Sequence, residues 1–86
     1  MKFYTIFNKK SLTFSDSIFP AINDEVAIRI CFNLVNSKSD NLIALIPEDF
    51  KLFCVGDFDM FSGEIKPCLI YVCELFSLRK DLKNNG

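Results

Sequence analysis

Apolar residues fill both parities of "KFYTIFN" at residues 2–8, with β-branched and aromatic side chains and no breaker, which predicts a strand that is hydrophobic on both faces. The "NKKS" that follows is a turn candidate, so "LTF" at 12–14 is expected to pair back as a short second strand. Pro20 and the Asn-Asp step then signal a helix start. Asn23 or Asp24 can cap the free N–H groups, and Asp24 and Glu25 place negative charge at the positive end of the helix dipole. Beyond them Ala27, Ile30, Cys31 and Leu34 recur at i, i+3, i+4 and i+7, with Ile28, Phe32 and Val35 widening the apolar face. Glu25, Arg29, Asn33 and Asn36 form the narrow polar stripe opposite. Arg29, one turn after Glu25, is expected to pair with it for about 0.2 to 0.5 kcal/mol.

"NSKSDN" reads as a loop, and "LIALIPEDF" as a strand, a helical turn or a plug, with Pro47 preventing regular continuation. "FKLFCVG" at 50–56 and "CLIYVCELF" at 68–76 read as buried strands, joined through a Ser-Gly turn into a long-looped antiparallel hairpin. These elements predict an α+β fold: a small, mostly antiparallel sheet of three to four strands with one main helix packed on one face, in the order strand-helix-strand-strand. Residues 1–78 form one domain and 79–86 a flexible charged tail. The strands are apolar on both faces and one helix covers one of them. The other face must be covered by the 42–46 segment, the N-terminal hairpin or a second subunit.

Composition narrows the classes. The chain has 86 residues, half of them hydrophobic and ten of them phenylalanine, enough core material for one domain. The net charge of -1 is segregated. Lys2, Lys9 and Lys10 stand without an acid in residues 1–15, nine acids face three cations in residues 16–64, and Lys66, Arg79, Lys80 and Lys83 outnumber Glu74 and Asp81 after that. Should the two ends lie together, they form a basic face opposite an acidic one. "MKFYTIFNKK" has too short an apolar run for a secretory signal, and "CLIYVCELFSL" is too short to span a bilayer. A cytoplasmic protein is expected, with Cys31, Cys54, Cys68 and Cys73 as buried thiols.

Histidine is absent, which removes the usual general base, the Cys-His and Ser-His pairs and the commonest nitrogen metal ligand. No enzyme activity, metal or cofactor is expected. Asp57, Asp59 and Glu64 near one turn lack the further ligands and fixed glycine of a calcium loop. The cysteine separations of 23, 14 and 5 do not make zinc knuckles, and Cys68 and Cys73, five apart on one strand, are expected on opposite faces. The pattern with functional content is the mixture of basic and aromatic residues at both ends. Lys2, Phe3, Tyr4, Phe7, Lys9 and Lys10 belong to it at one end and Tyr71, Phe76, Arg79, Lys80 and Lys83 at the other, and single-strand nucleic-acid binders combine such cations with aromatic platforms. An aromatic core, and lysines that protect sheet edges, account for the same residues without any ligand.

Taken in order, "MKFYTIFNKK", "FPAINDEVAIRICFNLVN" and "PEDFKLFCVGDFDMFSGEI", followed by a closing apolar strand, resemble the small nonstructural protein of the gokushoviruses, microvirus-type single-stranded DNA phages. The resemblance covers residues 1 to about 65. It departs at Ile46, where a polar residue is expected before Pro47, and in the cysteine-rich strands. It implies a viral nonstructural accessory protein in the host cytoplasm that assists single-stranded DNA genome synthesis or packaging by contacting DNA. It supplies no catalytic residues, and it makes Asn23 and Arg29 candidates for a contact surface. The alternative is a non-enzymatic interaction module that docks on a viral replication or capsid-assembly protein or a host factor; a homodimer is compatible with both.

Overall fold

A computed structural model describes residues 1–38 and 40–80. Its elements are β1 (Lys2–Asn8), β2 (Thr13–Phe14), β3 (Phe19–Ala21), α1 (Asp24–Val35), α2 (Leu42–Leu45), β4 (Phe50–Phe58) and β5 (Ile65–Glu74), with 3-10 turns at Pro47–Asp49 and Leu75–Leu78. The strands form one antiparallel sheet in the order β2-β1-β4-β5, and β3 pairs with β1. The α+β architecture with one main helix is as expected, but the sheet has five strands rather than three to four.

The additional strand is β3, which the sequence hid behind Pro20. Its register sets Phe3 opposite Pro20 and Tyr4 opposite Phe19. A proline lacks the N–H that a central strand needs, and it is tolerated here because β3 lies on an edge. Phe19 and Ala21 face the core while Pro20 is exposed. The expected return of the N-terminal hairpin is present, with Phe7 opposite Phe14 and Asn8 opposite Thr13.

β2 and β3 thus share one edge of β1, and the chain between them leaves the ladder. Thr5, buried at 2% exposure, spans that break: its hydroxyl lies 3.1 Å from the Ser15 carbonyl and 3.0 Å from that of Ser17, sharing its single proton between them. One side chain there replaces the hydrogen bonds that a regular strand would supply.

Helix α1 begins where its cap predicts, the Asn23 side chain accepting from the Val26 N–H at 3.0 Å. Its fully buried stripe is Ala27, Cys31 and Val35, at i, i+4 and i+8, while Ile30 and Leu34 lie at the exposed margin. Glu25, Arg29 and Asn33 are exposed as expected. Glu25 and Arg29 nevertheless form no ion pair among the described residues, since a fully hydrated pair gains little against side-chain entropy. The ambiguous 42–46 stretch resolves as α2, capped by Asn41.

One core joins the sheet to α1 and contains Tyr4, Ile6, Ala21, Ala27, Cys31, Val35, Phe50, Leu52, Cys54 and Leu75. Tyr4 is fully buried, and its hydroxyl donates to the Asp24 carboxylate at 2.5 Å. That bond fastens β1 to the first turn of α1. Burial, and then the Asp24 contact, push the phenol well above its ordinary value. The β4–β5 hairpin closes at Gly63, whose φ of 78° is glycine territory. β5 ends at Glu74, because Leu75 turns into the core instead of continuing the strand.

Two register shifts interrupt the β4–β5 ladder, between Leu52/Phe53 and Cys54/Gly56. Each extra residue inverts the alternation of the residues beyond it. Cys68 and Cys73 therefore both pack against the core, contrary to the expectation of opposite faces. Residues 79 and 80, expected to begin a free tail, are bonded to the body. The Arg79 guanidinium donates to the Ala44 carbonyl at 3.2 Å, and the Lys80 N–H donates to Asn36 Oδ1 at 2.9 Å. Asn36 also donates to the carbonyls of Phe32 and Leu78. Residues 81–86 of the expected tail lie outside the described residues.

Removing the Thr5 hydroxyl while keeping its shape tests the role assigned to it. Thr5→Val leaves the Ser15 and Ser17 carbonyls without this donor and should lower unfolding stability by about 1 to 3 kcal/mol in urea titration. A loss below about 0.3 kcal/mol would show that the break in the edge does not depend on that hydroxyl.

Candidate nucleic-acid interface

Alternation along the strands builds two different faces. Tyr4, Ile6, Leu52 and Cys54 point toward α1, so Phe7 and Phe53 point away from it. Cross-strand pairing adds Phe14 opposite Phe7 and Tyr71 opposite Phe53. Four rings thus cross β2, β1, β4 and β5 on the face turned away from the main helix. Centroid separations are 4.8 Å for Phe14–Phe7, 5.9 Å for Phe7–Phe53, 5.5 Å for Phe14–Phe53 and 5.9 Å for Phe53–Tyr71. The tilted and edge-to-face contacts are those that ring quadrupoles favour. The outer two rings are the more open, Phe14 at 44% exposure and Tyr71 at 51%.

Charge gathers at the Tyr71 end. Lys51, opposite Phe7 and Glu74 in the ladder, holds its Nζ 5.7 Å from the Tyr71 ring centroid, a cation–π arrangement. Lys9 Nζ lies 2.8 Å from Glu74 Oε1, and the Tyr71 hydroxyl donates to Glu74 Oε2 at 2.9 Å. Burial alone would raise the Glu74 carboxyl, but the Lys9 and Tyr71 hydrogen bonds and the nearby Lys9 and Lys51 charges outweigh it and hold the group below its usual value. Lys10 is exposed in the adjoining turn, where Asn8 Oδ1 accepts from the N–H groups of Lys10 and Ser11. The cluster is one anion among three cations.

The residues expected to form a site divide between the two faces. Lys9 and Lys10 lie beside the aromatic stripe. Lys2 shares the parity of Tyr4 and so belongs to the helix side, paired across the sheet with Ala21 and Asp57. Tyr4 has no exposed ring to offer. Arg29 stands exposed on α1, Asn23 is occupied as the helix cap, Arg79 is bonded to α2, and Lys80 lies with its Nζ 5.7 Å from the Phe32 ring. Among the described residues, the two ends are in direct contact through Lys9 and Glu74, while Lys2 and Lys66 flank Asp57 in the ladder. Sequence reasoning missed Phe14, Lys51 and Phe53; apolar residues on both parities of the strands were the signal for the two rings, and nothing in the pattern marked Lys51.

Other concavities offer less. On the helix side, Ile6, Phe14, Phe19, Leu34, Ile43 and Phe50 help line a hollow of about 550 Å³ that no charged residue borders among the described residues. At the hairpin tip Asp57, Asp59 and Glu64 gather, but Asp59 accepts from the N–H groups of Phe61 and Ser62, which lower its carboxyl and make it a turn former. Among the described residues no three Cys, Asp or Glu side chains are grouped to hold a metal ion, and no helix is long and apolar enough to cross a membrane.

Because the folded Glu74 value is depressed, its contribution is complete above the unfolded value of 4.5 and disappears as pH falls through the lower folded value. Glu74→Gln should destabilise the protein by about 0.5 kcal/mol at neutral pH, the discounted figure for a half-exposed pair. The difference should shrink progressively as pH falls below 4.5 in paired thermal melts; a difference that persists undiminished in acid would mean that the carboxylate charge is not what matters.

Comparison with known proteins agrees with the resemblance read from the sequence. The family model described as Phage ORF5 protein matches residues 1–78. Protein ORF5 of Chlamydia phage 1 is 36% identical over 69 residues, covering 78% of this chain and 72% of that protein. No solved structure matches the chain. With a family match that spans nearly all of the described residues, the chain belongs to the Phage ORF5 protein family.

Proposed function

We propose that this viral protein contacts single-stranded DNA through the sheet face turned away from α1, and so assists synthesis or packaging of a single-stranded genome in the host cytoplasm without catalysing a reaction. The observation that carries the reading is the ring stripe Phe14–Phe7–Phe53–Tyr71 with Lys51 against its last member. Unpaired bases have open π faces that stack on such rings, whereas a duplex keeps its bases stacked on one another. Lys9, Lys10 and Lys51 supply cations for the phosphates alongside. A net charge of -1 makes long-range attraction weak, so the proposed affinity rests more on stacking than on counterion release.

A second reading, a module that docks on a viral or host protein, draws on the exposed Ile30 and Leu34 of α1 and Leu42 and Leu45 of α2. The two readings use different faces, so surface substitutions separate them.

Fluorescence anisotropy with a labelled single-stranded oligonucleotide, at about 50 and 200 mM salt, tests the DNA reading. Binding should be tighter at low salt and should exceed that of the duplex. Tyr71→Ala and Phe14→Ala should each weaken it by about 5- to 150-fold, the range for losing one stacked base. Lys51→Glu should weaken it and flatten the salt dependence. Arg29→Glu, on the helix side, should leave it within about twofold. Binding that is absent at both salts, or unchanged in the two ring variants, would remove the aromatic face from the mechanism.

A further inference from the structure

The four cysteines are not equivalent. Cys54 on β4 and Cys68 on β5 have their sulfurs 3.7 Å apart, in contact across the hairpin. The register shift between Cys54 and Gly56 explains the approach. Cys54 is opposite Ile70 and Gly56 opposite Pro67, so Cys68 and Leu69 together face the single residue Val55. That extra residue on β5 swings Cys68 to the core side, next to Cys54. The remaining bonds of the pair are weak sulfur contacts, Cys54 to the Gly56 carbonyl at 3.7 Å and Cys68 to the Cys54 carbonyl at 3.6 Å. Neither would hold the thiols apart.

We infer that Cys54 and Cys68 are a redox modification site, which a small disulfide converts to an intramolecular disulfide that staples β4 to β5. Cys68 is the entry point, being partly open to solvent where Cys54 is buried. The Cys68 thiolate attacks one sulfur of the small disulfide, forms a mixed disulfide and releases one small thiolate. That thiolate takes the proton of Cys54. The Cys54 thiolate then attacks the Cys68 sulfur, expelling the second small thiolate, which takes up the proton that Cys68 gave to solvent on ionising. In total two protein thiols are oxidised and one small disulfide is reduced to two thiols. The sulfurs need to close from 3.7 Å to about 2.05 Å, a side-chain adjustment between adjacent strands.

The other two thiols make no sulfur contact of this kind among the described residues. Cys31 lies in the fully buried stripe of α1, closed to a small disulfide, and Cys73, though partly open, has no thiol in contact to complete the exchange. Burial raises Cys54 as it raises Cys31 and Cys73, so contact and not acidity selects the pair. Oxidation would close a ring through the hairpin tip, pinning the strand pair at the place where its ladder is irregular. The ring stripe lies on the opposite face of β4, so the modification concerns the rigidity of the hairpin and not the bases that Phe53 and Tyr71 would meet.

The test is incubation of the reduced, folded protein with oxidised glutathione, followed by intact mass and peptide mapping. The expected product is monomeric, about 2 Da lighter, carries a Cys54–Cys68 link and melts about 5 °C or more higher, with full reversal by a reductant. Cys54→Ala should stop the reaction at the first step and retain one glutathione on Cys68, a product that a merely structural pair would not give. Cys68→Ser should neither lose mass nor gain glutathione, and Cys31→Ala should behave as wild type. A link to Cys31 or Cys73, a disulfide-linked dimer, or unchanged mass in the wild type would each overturn the assignment.

Discussion

A sheet buries its hydrophobic side chains only where another layer covers it, and here a single twelve-residue helix is the main cover. The helix is fastened over β1 by the Tyr4–Asp24 hydrogen bond and by packing of Ala27, Cys31 and Val35. Among the described residues, the ten buried hydrophobic side chains gather in one core. The opposite side of the same strands must then be stable while partly wet. It carries rings that shield one another edge to face, with a lysine over the last of them. Among the described residues the aromatic face is what the strands present opposite the helix, with rings covering one another in place of a second layer.

β1 is the strand on which this arrangement turns. Its three pairings join β2 and β3 on one edge and β4 on the other, and its alternating side chains feed both faces. Thr5 shows how closely the two uses are linked. Its hydroxyl bridges the interruption that lets a single segment return twice along β1, which places Phe14 in the stripe and Phe19 in the core. At the far end, the Lys9–Glu74 pair ties the exit of β1 to the exit of β5, keeping Tyr71 and Lys51 beside the basic turn.

Much of this was readable from residue pattern. Asn23 marked the helix start, the 3.6-residue period carried through to Val35, and the apolar runs after Pro47 and Pro67 became β4 and β5. Pro20 misled, because a proline before Asn-Asp is a helix-entry signal and gives no hint of an edge strand. The cysteine faces were misread because a bulge shifts parity and leaves no mark in composition. The site was legible only in part. Lys9 and Lys10 fall where a basic end was expected, whereas Tyr4 was assigned to a surface because alternation tells which residues share a face and not which face the helix will take. Arg29, the cation inside the helix run, stays on the solvent side of α1.

The most direct measurement of the central claim uses the chain's own chromophores, two tyrosines and no tryptophan. Tyr4 is buried under α1 and Tyr71 lies in the stripe, so comparing the wild type with Tyr71→Phe assigns any quenching by a base to Tyr71 while the Tyr4–Asp24 bond stays intact. Titrating the wild type with oligothymidylate should quench its tyrosine emission saturably, as a base stacks on the ring, and Tyr71→Phe should show no such quenching. Emission that stays constant while the oligonucleotide is shown to bind by anisotropy would place the DNA on another surface and contradict the role given to this face.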